Sequence, residues 1–246
     1  MNIPTDIFDY LESRSFDNKL VFDLEKTKYK QIKREKYLSD IVKDKSVLHI
    51  GCADHVEVID YKITNNLWLH KELSNVASDC LGIDINREAI DYIRKTHNVN
   101  NVTAGDVTKD NIPGILEKKW DYVLFGEILE HIDNPVDFLS SFKSLYSKNV
   151  DSFIITVPNI LNIARYRFMK EYKEVINSDH RFWFTPYTIL KVLSVSGYKP
   201  EEIYFLNLSR LSFFELLARK LKKISGISPA YPFMYFSTIL VKGKVN

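Results

Sequence analysis

Two cysteines in 246 residues are too few for a disulfide framework, and neither Cys52 nor Cys80 has a companion at metal-ligand spacing. Both read as small residues beside strand ends, and a reducing, cytoplasmic compartment is expected. No stretch approaches the roughly 20 apolar residues of a membrane span. Residues 1–10 carry two Asp and no apolar core, so they do not read as a signal peptide. Glycine and proline are sparse, eight of each, and scattered where turns are expected, with no repeat and no low-complexity segment. Charge of one sign is missing too: 34 Lys and Arg stand against 32 Asp and Glu. A balance of +2 offers no support for a nucleic-acid or membrane partner.

What is present is ordinary for a globule. A 45% hydrophobic, 27% charged chain of this length can bury one full core, and a single domain over 1–246 is expected. Short apolar runs at 46–50, 80–83, 99–103, 121–125 and 152–157 alternate with helical patterns at 67–77, 86–96 and 135–147. A helix near 186–196, a strand near 201–206, a basic amphipathic helix at 210–224 and a strand near 235–241 follow. That rhythm predicts an α/β fold, a doubly wound Rossmann-like sheet with helices on both faces. The N-terminal 1–45 holds one or two charged helices over 17–43, with Leu20, Leu24, Tyr37, Leu38, Ile41 and Val42 as their packed face. These are expected to form a lid over a core at 46–159, with 160–246 on the acceptor side.

The segment WDYVLFGEILEHIDNP (120–135) carries the most chemistry. A buried parallel strand breaks at Gly126, and Glu127, Glu130 and His131 follow, where open α/β sheets place their ligands. Upstream, Gly51 ends the first strand and Asp84 the second. A Gly there lets the backbone turn against a ligand, and a carboxylate can take ribose hydroxyls. A dinucleotide site would need G-x-G-x-x-G, but Ala53 and Val56 follow Gly51. Asp54 and Glu57 also stand where a pyrophosphate would lie. A cationic sulfonium tolerates them, so the residues favour S-adenosylmethionine over NAD.

Four motifs in order, VLHIGCADH (47–55), LGIDINREAI (81–90), VTAGDV (102–107) and FGEILEHIDNP (125–135), resemble the class I S-adenosylmethionine-dependent methyltransferases. The resemblance lies with the group whose fourth motif reads E-x-x-E-H. It implies about seven mostly parallel strands, the last antiparallel. It also implies that Gly51, with Cys52 and Ala53, lines the methionine end, that Asp84, with Ile85, takes the ribose, that Asp106 and Val107 meet the adenine, and that Glu127 faces the cofactor. His55 stands where the family has its third Gly, which suggests a wide loop over 56–65.

Glu127, Glu130 and His131 lie within five residues, and positions three and four apart share a face of a helical turn. With His180 they form a mixed O/N set suited to Mg²⁺, Mn²⁺, Fe²⁺ or Zn²⁺. The pattern is similar to metal-dependent O-methyltransferases, including those of small RNA and of the ubiquinone pathway, and that resemblance makes these four the ligands. Without a metal, His131 or His180 could act as general base on an acceptor hydroxyl. The acceptor is expected to be a small molecule or glycan precursor. RNA 2′-O-methylation, N-methylation and a non-catalytic cofactor-binding scaffold are the alternatives. Asn159 and Asn162 are candidate polar contacts. Tyr166, Phe168, Tyr172, Phe182, Trp183 and Phe184 read first as core and second as a pocket. The basic helix at 210–224 reads first as packed on the sheet, with contact to an anionic membrane as the alternative. Nothing in the chain indicates an oligomeric state.

Overall fold

Each expected apolar run forms a strand, and the strands make one sheet. The computed structural model describes residues 2–24, 32–210 and 233–246. Its strands are β1 (Ser46–Ile50), β2 (Asp79–Asp84), β3 (Val102–Ala104), β4 (Trp120–Gly126), β5 (Val150–Pro158), β6 (Lys199–Leu208) and β7 (Phe236–Lys244). Their order is β3-β2-β1-β4-β5-β7-β6. Strands β1 to β5 pair in parallel, and β7 inserts antiparallel between β5 and β6. The chain runs outward from β1 to β3, then restarts at β4 on the other side of β1. Such a switch opens a crevice at the strands' carboxyl ends.

Alternation along the strands assigns the two faces. Leu48 and Ile50 of β1, with Val123 and Phe125 of β4, meet Leu139, Phe142 and Tyr146 of α7 (Pro135–Tyr146) and Ile189, Leu190 and Leu193 of α9 (Pro186–Val195). Val47 and Leu124 face the other way, onto Tyr37, Leu38 and Val42 of α2 (Arg34–Val42) and Leu69 and Leu73 of α4 (Leu69–Ser74). Burying one such side chain stabilises by about 1.5–3 kcal/mol, against about 1 kcal/mol for a helix cap. Packing therefore decides the fold, and caps decide where helices begin. Asn86 accepts from the Ala89 amide at 3.1 Å to start α5 (Arg87–His97). Thr185 and Thr188 form a capping box ahead of α9, with Pro186 at its first position.

Three expectations change. The loop expected over 56–65 is a helix, α3 (Val56–Thr64), because Val56, Ile59 and Ile63 repeat at helical spacing and Ile59 is fully buried. The helix expected over 67–77 shrinks to the six residues of α4. The N-terminal lid divides. Ile3, Ile7 and Leu11 sink into the core, and the Ile3 amide donates to the Glu201 carbonyl at the β6 edge. This stretch includes the short α1 (Phe8–Leu11). Residues 17–24 carry no helix, and α2 packs beside α4 on the sheet face near the cleft. Beyond Arg210, the basic helix expected at 210–224 lies outside the described residues. No helix among the described residues is long and apolar enough to cross a membrane.

Candidate active site

A cleft of about 1050 Å³ opens over the ends of β1, β2, β3 and β4. Gly51, Cys52, Ala53, Asp84, Ile85, Asp106, Val107, Glu127, Glu130, His131 and His180 all line it. Gly51 turns out of β1 with φ +72°, and a Cβ there would come within 2.8 Å of the Ile128 side chain. Only glycine meets both constraints at low cost. Asp84 ends β2 and accepts from the Ala53 amide at 3.0 Å and the Asn86 amide at 2.9 Å, which ties the β1 turn to the start of α5. Burial raises its pKa despite these bonds, and Asp54 adds to the rise. Burial also acts to raise that of Asp106, but hydrogen bonds from Thr108 and the Lys109 ammonium outweigh it and the net shift is downward. Cys52 is buried, and burial holds its thiol neutral. Ile85 remains exposed, and with Val107, Ile132 and Phe138 it supplies the apolar part of the cleft lining.

The other side of the cleft is built by two segments far apart in sequence. A 3₁₀ turn, Leu129–His131, follows β4, and the Glu130 carbonyl accepts from the amides of Arg181 (2.7 Å) and Phe182 (3.3 Å). The Arg181 guanidinium bonds the His131 carbonyl and pairs with Asp133. These contacts set the rings of His131 and His180 edge to face, 4.6 Å between centroids. Donor atoms of Glu130, His131 and His180 all lie within 4.8 Å of one another. Glu130 is 1% exposed, and neither carboxylate oxygen has a hydrogen-bond partner. The His180 Nδ1 is likewise buried and unpartnered. Burial pushes the Glu130 carboxyl up to about 8 and lowers the pKa of both imidazoles.

Glu127 does not join this group. The helical turn that would have placed it beside Glu130 begins only at Leu129, and Glu127 itself sits at φ +57°, in the left-handed region. Its carboxylate points to Arg34 of α2, with Oε2 2.6 Å from Nη1.

A methyltransferase-domain family model matches residues 25–203, well over half of the chain. The chain belongs to this family. It is a class I S-adenosylmethionine-dependent methyltransferase. No curated protein matches it. Among solved structures, a SAM-dependent methyltransferase of Archaeoglobus fulgidus is 19% identical with TM-score 0.50, covering 85% of this chain and 90% of that one. A possible histamine N-methyltransferase of Thermotoga maritima is 12% identical with TM-score 0.54, covering 86% and 87%. The small RNA methyltransferase HEN1 is 16% identical with TM-score 0.54, over 86% of this chain and 25% of that one. At these identities the likeness is one of fold.

Elsewhere the methyltransferase departs from what its sequence suggested. Asn159 and Asn162 are both buried and spent on structure. The first holds the Phe233 and Phe236 carbonyls and the Leu161 amide, and the second caps α8 (Ile163–Met169) and bonds Ser209. Of the six aromatics first read as core, only Phe184 is buried, and Tyr172 is fully exposed. The reason is that α8 follows the end of β5 and buries none of its residues. Arg165 stacks on Trp183 instead, 3.9 Å from the ring centroid. His55, at the unusual glycine position, lies 3.4 Å from Asp179 across the cleft mouth. Two cleft residues had no sequence signal. Arg34 reaches in from α2, and His49 of β1 lines the floor with its buried Nδ1 unpartnered.

Proposed function

We propose that this methyltransferase methylates a hydroxyl of a small molecule or glycan precursor, with a divalent cation held by Glu130, His131 and His180. The observation that carries it is the Glu130 carboxylate, buried beside two imidazoles with both oxygens unpartnered. Buried carboxylates normally have a partner, and burying one without a cation keeps it protonated. One carboxylate and two neutral imidazoles suit Mn²⁺, Fe²⁺ or Zn²⁺ better than Mg²⁺, which prefers all-oxygen sites. The lowered pKa of His131 and His180 keeps both rings neutral, and so able to ligate, near pH 7. Such an ion, when bound, lowers the pKa of a coordinated hydroxyl.

The chain's own residues do the rest. Gly51 and Asp84 would seat the donor against the β1 and β2 ends, and Ile85 and Val107 would cover its base. Methyl transfer then depends on aligning the acceptor oxygen with methyl and sulfur. Without the cation, His131 or His180 would instead take the hydroxyl proton as general base. Among the described residues, eight carboxylates but only four Lys or Arg line the cleft. That balance suits a cationic sulfonium and opposes a polyanionic RNA backbone, whose binding depends on free basic side chains.

The test is calorimetric titration of chelator-treated protein with Mn²⁺, Fe²⁺ and Zn²⁺, beside S-adenosylhomocysteine. One bound ion, lost in His180→Ala and Glu130→Gln while S-adenosylhomocysteine still binds, is the expected result. Failure of the wild type to bind any of the three would sink the cation site. A screen that found amine but not hydroxyl acceptors would sink the O-methylation reading.

A further inference from the structure

Large hydrophobic side chains left in water are scattered over most of the molecule, but after β5 they cluster. Eight of the sixteen exposed among the described residues fall within 161–182, and Tyr166, Phe168, Met169, Tyr172, Val175 and Ile176 fall within eleven residues. Single exposed apolar residues need no explanation, whereas a contiguous group marks a binding surface. This group is contiguous in space as well as in sequence. The Lys173 amide donates to the Phe168 carbonyl at 3.1 Å, the Tyr172 amide to the Met169 carbonyl at 3.0 Å, and Arg165 Nη1 to the Val175 carbonyl at 2.9 Å. These bonds fold 171–175 back against α8 into one knob, with Tyr172 fully exposed at its turn. Its base is fixed, because Asn162 caps α8 and the Ile160 amide donates to the Phe184 carbonyl at 3.2 Å.

Charge is distributed just as unevenly. Residues 161–176, together with Arg210 whose carbonyl accepts from Arg167 at 3.5 Å, hold five Lys or Arg against two Glu. That leaves 29 against 30 in the rest of the chain, so the near-neutral balance of the whole hides one basic, apolar surface. The cations stand among the apolar groups. Lys170 Nζ lies 5.0 Å from the Tyr166 ring centroid, and Arg165 lies on Trp183. Lys173 pairs with Glu171 at 2.9 Å, but the two are 64% and 62% exposed, and such a pair is weak. The cores of protein interfaces are depleted in Lys and Glu. Binding to a nucleic-acid backbone is electrostatic and gains nothing from exposed Met, Val and Ile. Long cations with stems beside aromatic and aliphatic groups suit a lipid–water boundary, where head groups take the charge and the acyl region takes the rest.

We propose that this knob seats the protein on an anionic lipid surface. Residues 177–181 run straight from it into the cleft, where Asn177, Asp179, His180 and Arg181 form part of the lining. Seating on the knob therefore brings the His131–His180 end of the cleft to the lipid, where an acceptor with an apolar anchor would meet it. The carboxylate-rich cleft is itself repelled by an anionic surface, so the knob supplies the attraction. Docking needs neither donor nor cation, and its failure would leave the proposed chemistry untouched.

Co-sedimentation of the full chain with vesicles makes the test. Vesicles of equal parts phosphatidylcholine and phosphatidylserine should bind it at least about 10-fold more tightly than phosphatidylcholine alone. Replacing Lys170 and Lys173 by Gln should weaken binding about 5-fold for each charge. Met169→Ser with Tyr172→Asn should weaken it about 10-fold or more, since both side chains lose apolar area that the lipid would cover. Asn tolerates the left-handed backbone of Tyr172, φ +57°. None of the four residues lines the cleft, so S-adenosylhomocysteine affinity should be retained in both variants. A wild type that bound neither vesicle would overturn the proposal. Binding that survived both variants would overturn it too, and would place the contact elsewhere in the chain, 211–224 included. A concentration-dependent dimer abolished by the Met169 and Tyr172 changes would reassign the knob to a second copy of the chain. RNA binding lost with the two lysines but not with the apolar pair would reassign it to nucleic acid.

Discussion

The two sides of the cleft hold their polar groups in opposite ways. Along β1, β2 and β3 the carboxylates are committed to their own chain: Asp84 to the Ala53 and Asn86 amides, Asp106 to Thr108 and Lys109, Asp54 to Lys62. Beyond β4, Glu130 and His180 Nδ1 are buried with no partner. A side whose bonds are satisfied in the empty protein is already shaped for its ligand. A side with buried orphans is completed by what binds there. The first arrangement fits a donor that never changes, and the second fits an acceptor and an ion that complete the chemistry.

Breaking the committed side should have the largest effect. Asp84→Ala removes the carboxylate proposed to take the ribose hydroxyls and also frees the Ala53 and Asn86 amides, so it disturbs the β1 turn as well. A loss of about 100-fold or more in S-adenosylhomocysteine affinity is expected from a charged group with several hydrogen bonds. Calorimetry on the variant checks it. A loss of only a few-fold would mean that the apolar lining, and not Asp84, dominates donor binding.

A second prediction sharpens the contrast, because the committed side has orphans of its own. His70 of α4 is fully buried with Nε2 unpartnered, stacked 5.6 Å from His49 and in contact with the Trp68 ring. Burial lowers the pKa of His70 to about 4 and that of His49 well below its usual 6.5. Below pH 6.5 the unfolded chain takes up protons that the native state refuses. Stability therefore falls as pH drops from 6.5 towards 4. His70 alone should account for about 3 kcal/mol of that fall, since its pKa is lowered from 6.5 to about 4 and each pKa unit is worth about 1.4 kcal/mol. In His70→Leu the urea midpoint should depend less on pH between 6.5 and 4.5, with donor affinity retained. An unchanged slope would show that His70 is protonated at little cost. This orphan then marks packing, whereas Glu130, which lines the open cleft, is the one proposed to hold a cation.

The same contrast explains what was legible in the sequence. The donor side is made by contacts a few residues apart, such as Asp84 with Asn86 and Asp106 with Thr108, so short motifs reveal it. The strands and their parallel, two-sided packing are legible for a related reason: the apolar runs are continuous because β1, β4 and β5 are buried on both faces. Helix α3 was missed because its apolar spacing sits in a segment first read as an enlarged loop. The Arg34–Glu127 pair joins residues that no local pattern links, and the direction of Glu127 depends on one backbone angle. The aromatics of 166–184 misled because composition reports apolar area and not what lies behind it.

The smallest expected effect separates structure from recognition at the acceptor end. Asn162 follows the end of β5, a position where a polar side chain could meet an acceptor, yet it accepts from the Ala164 amide at 2.9 Å and donates to Ser209 Oγ at 2.9 Å. It is 3% exposed and does not line the cleft. Removing a helix cap typically costs about 1 kcal/mol, and Asn162→Ala should lower stability by about that much. Affinity for S-adenosylhomocysteine and for a divalent ion should not change, because neither site shares a hydrogen bond with Asn162. Chemical denaturation and titration of the same preparation read both quantities. A variant as stable as the wild type but impaired in acceptor turnover would return Asn162 to the recognition surface and move the boundary between the two sides of the cleft outward, past the end of β5.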